Sequence, residues 1–150
     1  MKKILTLVTI LSLFTISCSK DDDSSSSNTK FVKMTVDGVE KNFDTVIVNE
    51  ETYDVGTSDA YTELTVTATI GTSTNEMVVF IVEKGDVGSD VIYSFVYKNG
   101  STEYRNNGDL NTNVSTNSSN TIKGNFSGEV LDFSTDVTKT INNGSFEINY

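Results

Sequence analysis

The sequence predicts an all-β fold, an antiparallel β-sandwich or flattened β-barrel of about 8–10 strands behind a disordered N-terminal tether. Three observations carry this expectation. From residue 31 onward, short runs alternate apolar and polar side chains, the period of a strand with one wet face. Turn material punctuates those runs at Asp37-Gly38, Gly56, Gly71-Thr72, Gly85-Asp86, Asn99-Gly100, Asn107-Gly108 and Asn143-Gly144. No stretch longer than a turn keeps a helical period.

Each element follows in order. "FVKMTV" (31–36) alternates up to Asp37-Gly38, a strong two-residue hairpin signal, and the chain resumes with "VEKNFDTVIV" (39–48). "ELTVTATI" (63–70) places Leu64, Val66, Ala68 and Ile70 on one face and threonines on the other. "MVVFIV" (77–82) is apolar on both faces, as a central strand would be. "VIYSFVY" (91–97) is expected to put Tyr93, Phe95 and Tyr97 on one face. Further strands are expected at 102–105, 110–115, 121–131, 137–141 and 145–149, with Asn143-Gly144 forming the last hairpin. Phe126 and Val130 share a face across Gly128, where a missing side chain suits a bulge or a close approach. With no proline in the chain, charged side chains must guard the sheet edges.

The N-terminus reads as an address. Lys2 and Lys3 precede an apolar run, "ILTLVTILSLFTI" (4–16), too short to span a bilayer but suited to a signal peptide covering 1–17. It ends in Ser17-Cys18, and residues 14–18 resemble the lipobox of a bacterial lipoprotein, with Thr15 where leucine is commonest. That resemblance implies cleavage before Cys18, diacylglycerol on its sulfur and stable attachment to a membrane through the acyl chains. Cys18 is the only cysteine, so a lipidated Cys18 leaves no thiol for disulfide or redox chemistry. The stretch 18–30 reads as a flexible acidic and serine-rich tether, leaving 31–150 as a single domain. Within it, Ser19, Lys20, Asp21, Asp22 and Asp23 resemble the surface-export signal of Bacteroidetes lipoproteins. This implies an outer-membrane protein facing the medium; the alternative is a periplasm-facing one.

Composition narrows the partners. The chain of 150 residues has a formal net charge of −10, and a product starting at Cys18 would lose two lysines and reach −12. Such a surface repels phosphates, so nucleic acid is not an expected partner. There is no histidine, which removes the usual general base and zinc ligand. No enzyme, cofactor or metal site is expected. "DLNTN" (109–113) alternates oxygen-bearing side chains but lacks the glycine and closing glutamate of a calcium loop. Glu50, Glu51 and Glu63 could act as acid and base, but their spacing does not single them out.

The back half, "NTIKGNFSGEVL" followed by "KTINNGSFEINY", together with "MTVDGVEKNF" near the front, resembles a family of small uncharacterised Bacteroidetes lipoproteins. The resemblance covers nearly all of 31–150 and implies a β-sandwich, with no catalytic residues attached. Asn125 stands where the family pattern has threonine, and the first hairpin has no tryptophan. The expected role is a non-enzymatic, lipid-anchored envelope protein presenting a binding or structural module. The alternative is a glycan- or small-ligand-binding accessory module of a nutrient-uptake system, with Tyr53, Tyr61, Tyr97 and Tyr104 as ligand-facing aromatics. Partners are thus the membrane and a glycan or envelope protein. Asp44-Thr45-Val46 also resembles an O-glycosylation acceptor of Bacteroidetes exported proteins, which implies modification at Thr45.

Overall fold

Asp37 and Gly38 both take positive φ, 47° and 83°, the backbone of a tight two-residue hairpin turn. They join β1 (Lys30–Val36) to β2 (Val39–Phe43) in the expected register, Val36 opposite Val39. This computed structural model describes residues 30–150, and among them every regular element is a strand. Cys18, Ser19, Lys20, Asp21, Asp22, Asp23, the signal peptide and the tether up to 29 lie outside the described residues. Lys30, assigned to the tether on sequence, already belongs to β1.

The remaining strands are β3 (Thr45–Tyr53), β4 (Tyr61–Ile70), β5 (Ser73–Glu83), the two-residue β6 (Gly88–Ser89), β7 (Ile92–Asn99), β8 (Thr102–Arg105), β9 (Leu110–Asn117), β10 (Thr121–Asp132) and β11 (Val137–Asn149). They form one curled antiparallel sheet in the order β2-β1-β11-β10-β8-β7-β5-β4-β3, with β9 paired to β10 and β6 to β9. Its two end strands, β2 and β3, are consecutive in the chain, so the sheet curls almost onto itself. Between β8 and β10 the ladder narrows to a single pair, Leu131 with Arg105, and the two strands splay apart beyond it.

The all-β expectation is met, and the inward side of the curl is the core. Phe80 of β5 meets Phe146 of β11 with ring centroids 4.9 Å apart, and Phe95 of β7 meets Phe126 of β10 at 5.0 Å. These tilted contacts fix one half of the sheet over the other. Leu64, Val66, Ala68, Val78 and Val82 fill the space beside them. As expected, β5 lies inside the sheet between β4 and β7.

Four local expectations are corrected, each through the parity of side chains. The run 39–48 is two strands rather than one. Phe43 and Val46 both point inward, and a three-residue step cannot keep one face of a continuous strand. The reversal falls at Asp44, whose Oδ1 accepts the Gly71 N–H at 2.8 Å, and it sends β2 and β3 to opposite ends of the sheet. Tyr93 does not share a face with Phe95 and Tyr97. A register shift against Ile81 and Val82 makes Tyr93 an extra residue, so Ile92 and Phe95 face the core and Tyr93 faces out. Asn143-Gly144 is a bulge inside the long β11 rather than a hairpin: three β11 residues span two on both neighbours, with Asn143 at φ 53°. The last hairpin is instead turned by 133–136. Finally, Ile70 is 37% exposed because the β4–β5 register shifts after Thr69.

The glycine–phenylalanine pattern of the back half gains a physical reason. Gly124 lies opposite Phe146, and Phe126 lies opposite Gly144. A Cβ on Gly124 would come within 2.5 Å of the Phe146 ring, and one on Gly144 within 2.4 Å of the Phe126 ring. Each glycine leaves the space that its cross-strand phenylalanine covers.

Candidate functional site

The tyrosines expected to form one aromatic platform divide into two groups. Tyr97 is 1% exposed and Tyr104 8%, stacked on each other at 5.9 Å between centroids. Both rings face into the curl, since Val78, Phe80, Phe95 and Tyr97 lie on one parity across paired strands. Tyr97 donates its hydroxyl to Glu76, which also pairs with Lys41 at 2.9 Å. Burial, then that hydrogen bond, pushes the Tyr97 phenol above its ordinary value. On the same side, Lys139 bonds Asp37 at 2.7 Å and lies 5.8 Å from the Tyr104 ring centre. This chain of polar contacts ties the β1–β2 hairpin to β5, β7 and β11. Its rings are covered, so Tyr97 and Tyr104 are not ligand-facing.

Tyr53 and Tyr61 do lie together and gain a third member. The two are cross-strand partners at the ends of β3 and β4, stacked 5.1 Å apart at 19°. Tyr93, 56% exposed because of the β7 bulge, joins them on the outer face, where desolvation first and then nearby Glu63 of β4 raise its phenol. Sequence reasoning missed Tyr93 because strict alternation pairs it with Phe95; nothing local in "VIYSFVY" signals the bulge.

A row of carboxylates lies beside the rings. Glu51 pairs with Glu63, and Glu63 pairs with Glu83, so β3, β4 and β5 each contribute one acid at the same level of the sheet. Like charges directly opposite one another destabilise a sheet. The Tyr53 phenol is pushed up to about 12 by Glu51 first, then by partial desolvation and the charge of Glu63. Tyr61 is raised by desolvation, then by Glu63, Asp54 and Glu83. Tyr93 is raised by desolvation, then by Glu63. Among the described residues no lysine or arginine pairs with Glu51, Glu63 or Glu83; the nearby Lys84 is bound to Glu50 at 2.7 Å.

A second feature is the cleft opened where β8 and β10 splay. About 470 Å³ in volume, it is lined by Thr102, Glu103, Arg105, Phe133, Ser134 and Thr135 among others. Phe133 is 65% exposed at its rim. Arg105 is tied to Glu103 at 2.7 Å, and Asp132 accepts from the backbone and hydroxyl of Ser134 and from the Thr135 hydroxyl. The Asp132 bonds shape the turn that lifts Phe133.

Thr45, the expected glycosylation acceptor, is exposed at the start of β3 with its hydroxyl 3.4 Å from Asp44. Asp109 of "DLNTN" accepts from the Asn107 amide at 3.0 Å, turn chemistry rather than a cation cradle. Among the described residues no group of three or more acidic or cysteine side chains converges to hold a metal ion. Comparison of the chain with protein families, with curated proteins and with solved structures finds no match.

Proposed function

We propose that the chain is a lipid-anchored outer-membrane protein, displayed toward the medium, whose β-domain works by binding rather than by catalysis. The reading rests on the sequence for its anchor: a leader ending at Cys18, then Asp21, Asp22 and Asp23. It also fits the resemblance to small Bacteroidetes lipoproteins. The single structural observation in its favour is the Tyr53–Tyr61–Tyr93 patch, three aromatic side chains grouped on the outer side of the sheet. Incorporation of a fatty-acid analogue in cells tests the anchor, and label retained by Cys18→Ala overturns it. Whole-cell protease accessibility tests display: replacing Asp21, Asp22 and Asp23 by alanine should protect the domain, and unchanged cleavage overturns the export reading.

A second reading, the glycan-binding accessory module, is favoured by the cleft between β8 and β10. There an exposed Phe133 lies among hydroxyls and the Arg105–Glu103 pair, a mixture suited to the apolar face and hydroxyl rim of a sugar. A glycan array discriminates between them. Binding lost on Phe133→Ala selects this reading, and an array with no signal removes it.

A further inference from the structure

We propose that the outer-face patch of Tyr53, Tyr61, Tyr93, Glu51, Glu63 and Glu83 receives an arginine side chain presented by a partner protein. The inference deepens the binding reading above and rests on it.

Charge complementarity selects the occupant. Residues 30–150 carry eight basic and eighteen acidic side chains, so the whole domain attracts cations. Within the patch the attraction is local, because three facing carboxylates have no cationic partner among the described residues. Lys84, the nearest base by sequence, is committed to Glu50 and lies 5.5 Å from the Tyr150 ring centre. A bare metal ion does not fit, since these acids do not converge to metal-ligand geometry. A larger cation with several donors can bridge acceptors spread across three strands.

The rings choose among organic cations. A guanidinium is planar, offers five N–H donors in a fixed fork and stacks on aromatic faces, whereas an ammonium is a compact and strongly hydrated charge. Tyr93 is more than half exposed, and Glu63 shares its outer face close by. A guanidinium over Tyr93 would thus meet a π face and a carboxylate together, adding a charge-assisted hydrogen bond to the cation–π attraction. Its charge would also offset the repulsion along the glutamate row, a gain no neutral sugar supplies.

The test uses the whole chain and two peptides, hexa-arginine and its neutral analogue hexa-citrulline. The chain has six tyrosines and no tryptophan, and three of the six lie in the patch, so tyrosine emission responds to binding there. Hexa-arginine is expected to change that emission saturably, with affinity falling as salt is added, and hexa-citrulline is expected to give no change. Tyr93→Ala and Glu63→Gln should each weaken binding at least about ten-fold, a loss on the order of 1.4 kcal/mol. Glu129→Gln, an acid on β10 outside the patch, should leave it unchanged. Matching thermal unfolding of the variants and the parent confirms that folding is intact. Three outcomes overturn the proposal: no binding, binding that survives Tyr93→Ala and Glu63→Gln, or equal weakening by Glu129→Gln, which would mean diffuse attraction to an acidic domain. A glycan that binds at Tyr93 while hexa-arginine does not would overturn the arginine assignment and leave the binding reading standing.

Discussion

Gly124 and Gly144 show how single side chains set the geometry of the core. Neither has a positive φ, so their requirement is steric: Phe146 and Phe126 occupy the space over them. Gly124→Ala and Gly144→Ala are therefore expected to destabilise the fold by about 1–3 kcal/mol each through overpacking, measured as a lower urea midpoint. Asn117 makes a second kind of demand. Buried to 8% exposure at the end of β9, its amide donates to the carbonyls of Glu83 at 2.7 Å and Asp86 at 3.0 Å. Asn117→Ala removes a donor from both, leaving the Glu83 carbonyl only the Asp86 N–H at 3.2 Å, and should cost about 1–3 kcal/mol, read in the same way. At high pH Tyr97 becomes the relevant side chain. Its phenol is raised in the folded state, so its contribution is complete below the ordinary value of 10.0 and disappears as pH rises through the folded value. An alkaline titration followed by tyrosinate absorbance should show one phenol appearing only as the protein unfolds, and Tyr97→Phe should abolish that phase.

At the scale of elements, bulges and corners decide which residues reach the surface. Asp44 ends β2 and starts β3 by accepting the Gly71 amide from the β4–β5 turn. Asp44→Ala should speed hydrogen exchange at Gly71 while lowering stability less than Gly144→Ala does, because the corner is exposed. The bulge at Tyr93 similarly converts a core position into a surface one. Eight-residue β7 would otherwise bury Tyr93 in the alternation of its neighbours. The strands themselves were legible from alternation and turn chemistry. The run at 102–105 coincides with β8, and the Asp37-Gly38 turn is where the pair of residues requires it. What alternation could not give was its own interruptions. A bulge is specified by the register of the neighbouring strand, and that strand is distant in sequence.

For the whole molecule, the order β2-β1-β11-β10-β8-β7-β5-β4-β3 brings the first and last strands of the described residues side by side. Asp37, in the first hairpin, bonds Lys139 at 2.7 Å and the Thr140 amide at 3.0 Å in the last strand, and these contacts hold its carboxyl below the usual 3.8. Asp132 is lowered as well, by Ser134 and Thr135. A carboxyl lowered in the folded state stabilises above its ordinary value, and that contribution is lost as pH falls through the lowered one. Melting temperature should consequently fall as pH drops below about 4, and the combined Asp37→Asn and Asp132→Asn variant should show a flatter profile on this acid limb. The sequence by itself determined the strand content, the first hairpin and the acidic charge, because each depends on composition or on neighbours a few residues apart. Only the tertiary structure decided that Tyr97 and Tyr104 are inside, that Tyr93 is outside, and that Glu51, Glu63 and Glu83 stand in one row. Those placements depend on which strands pair and where their registers slip, and the pairings join residues that alternation along the chain cannot relate.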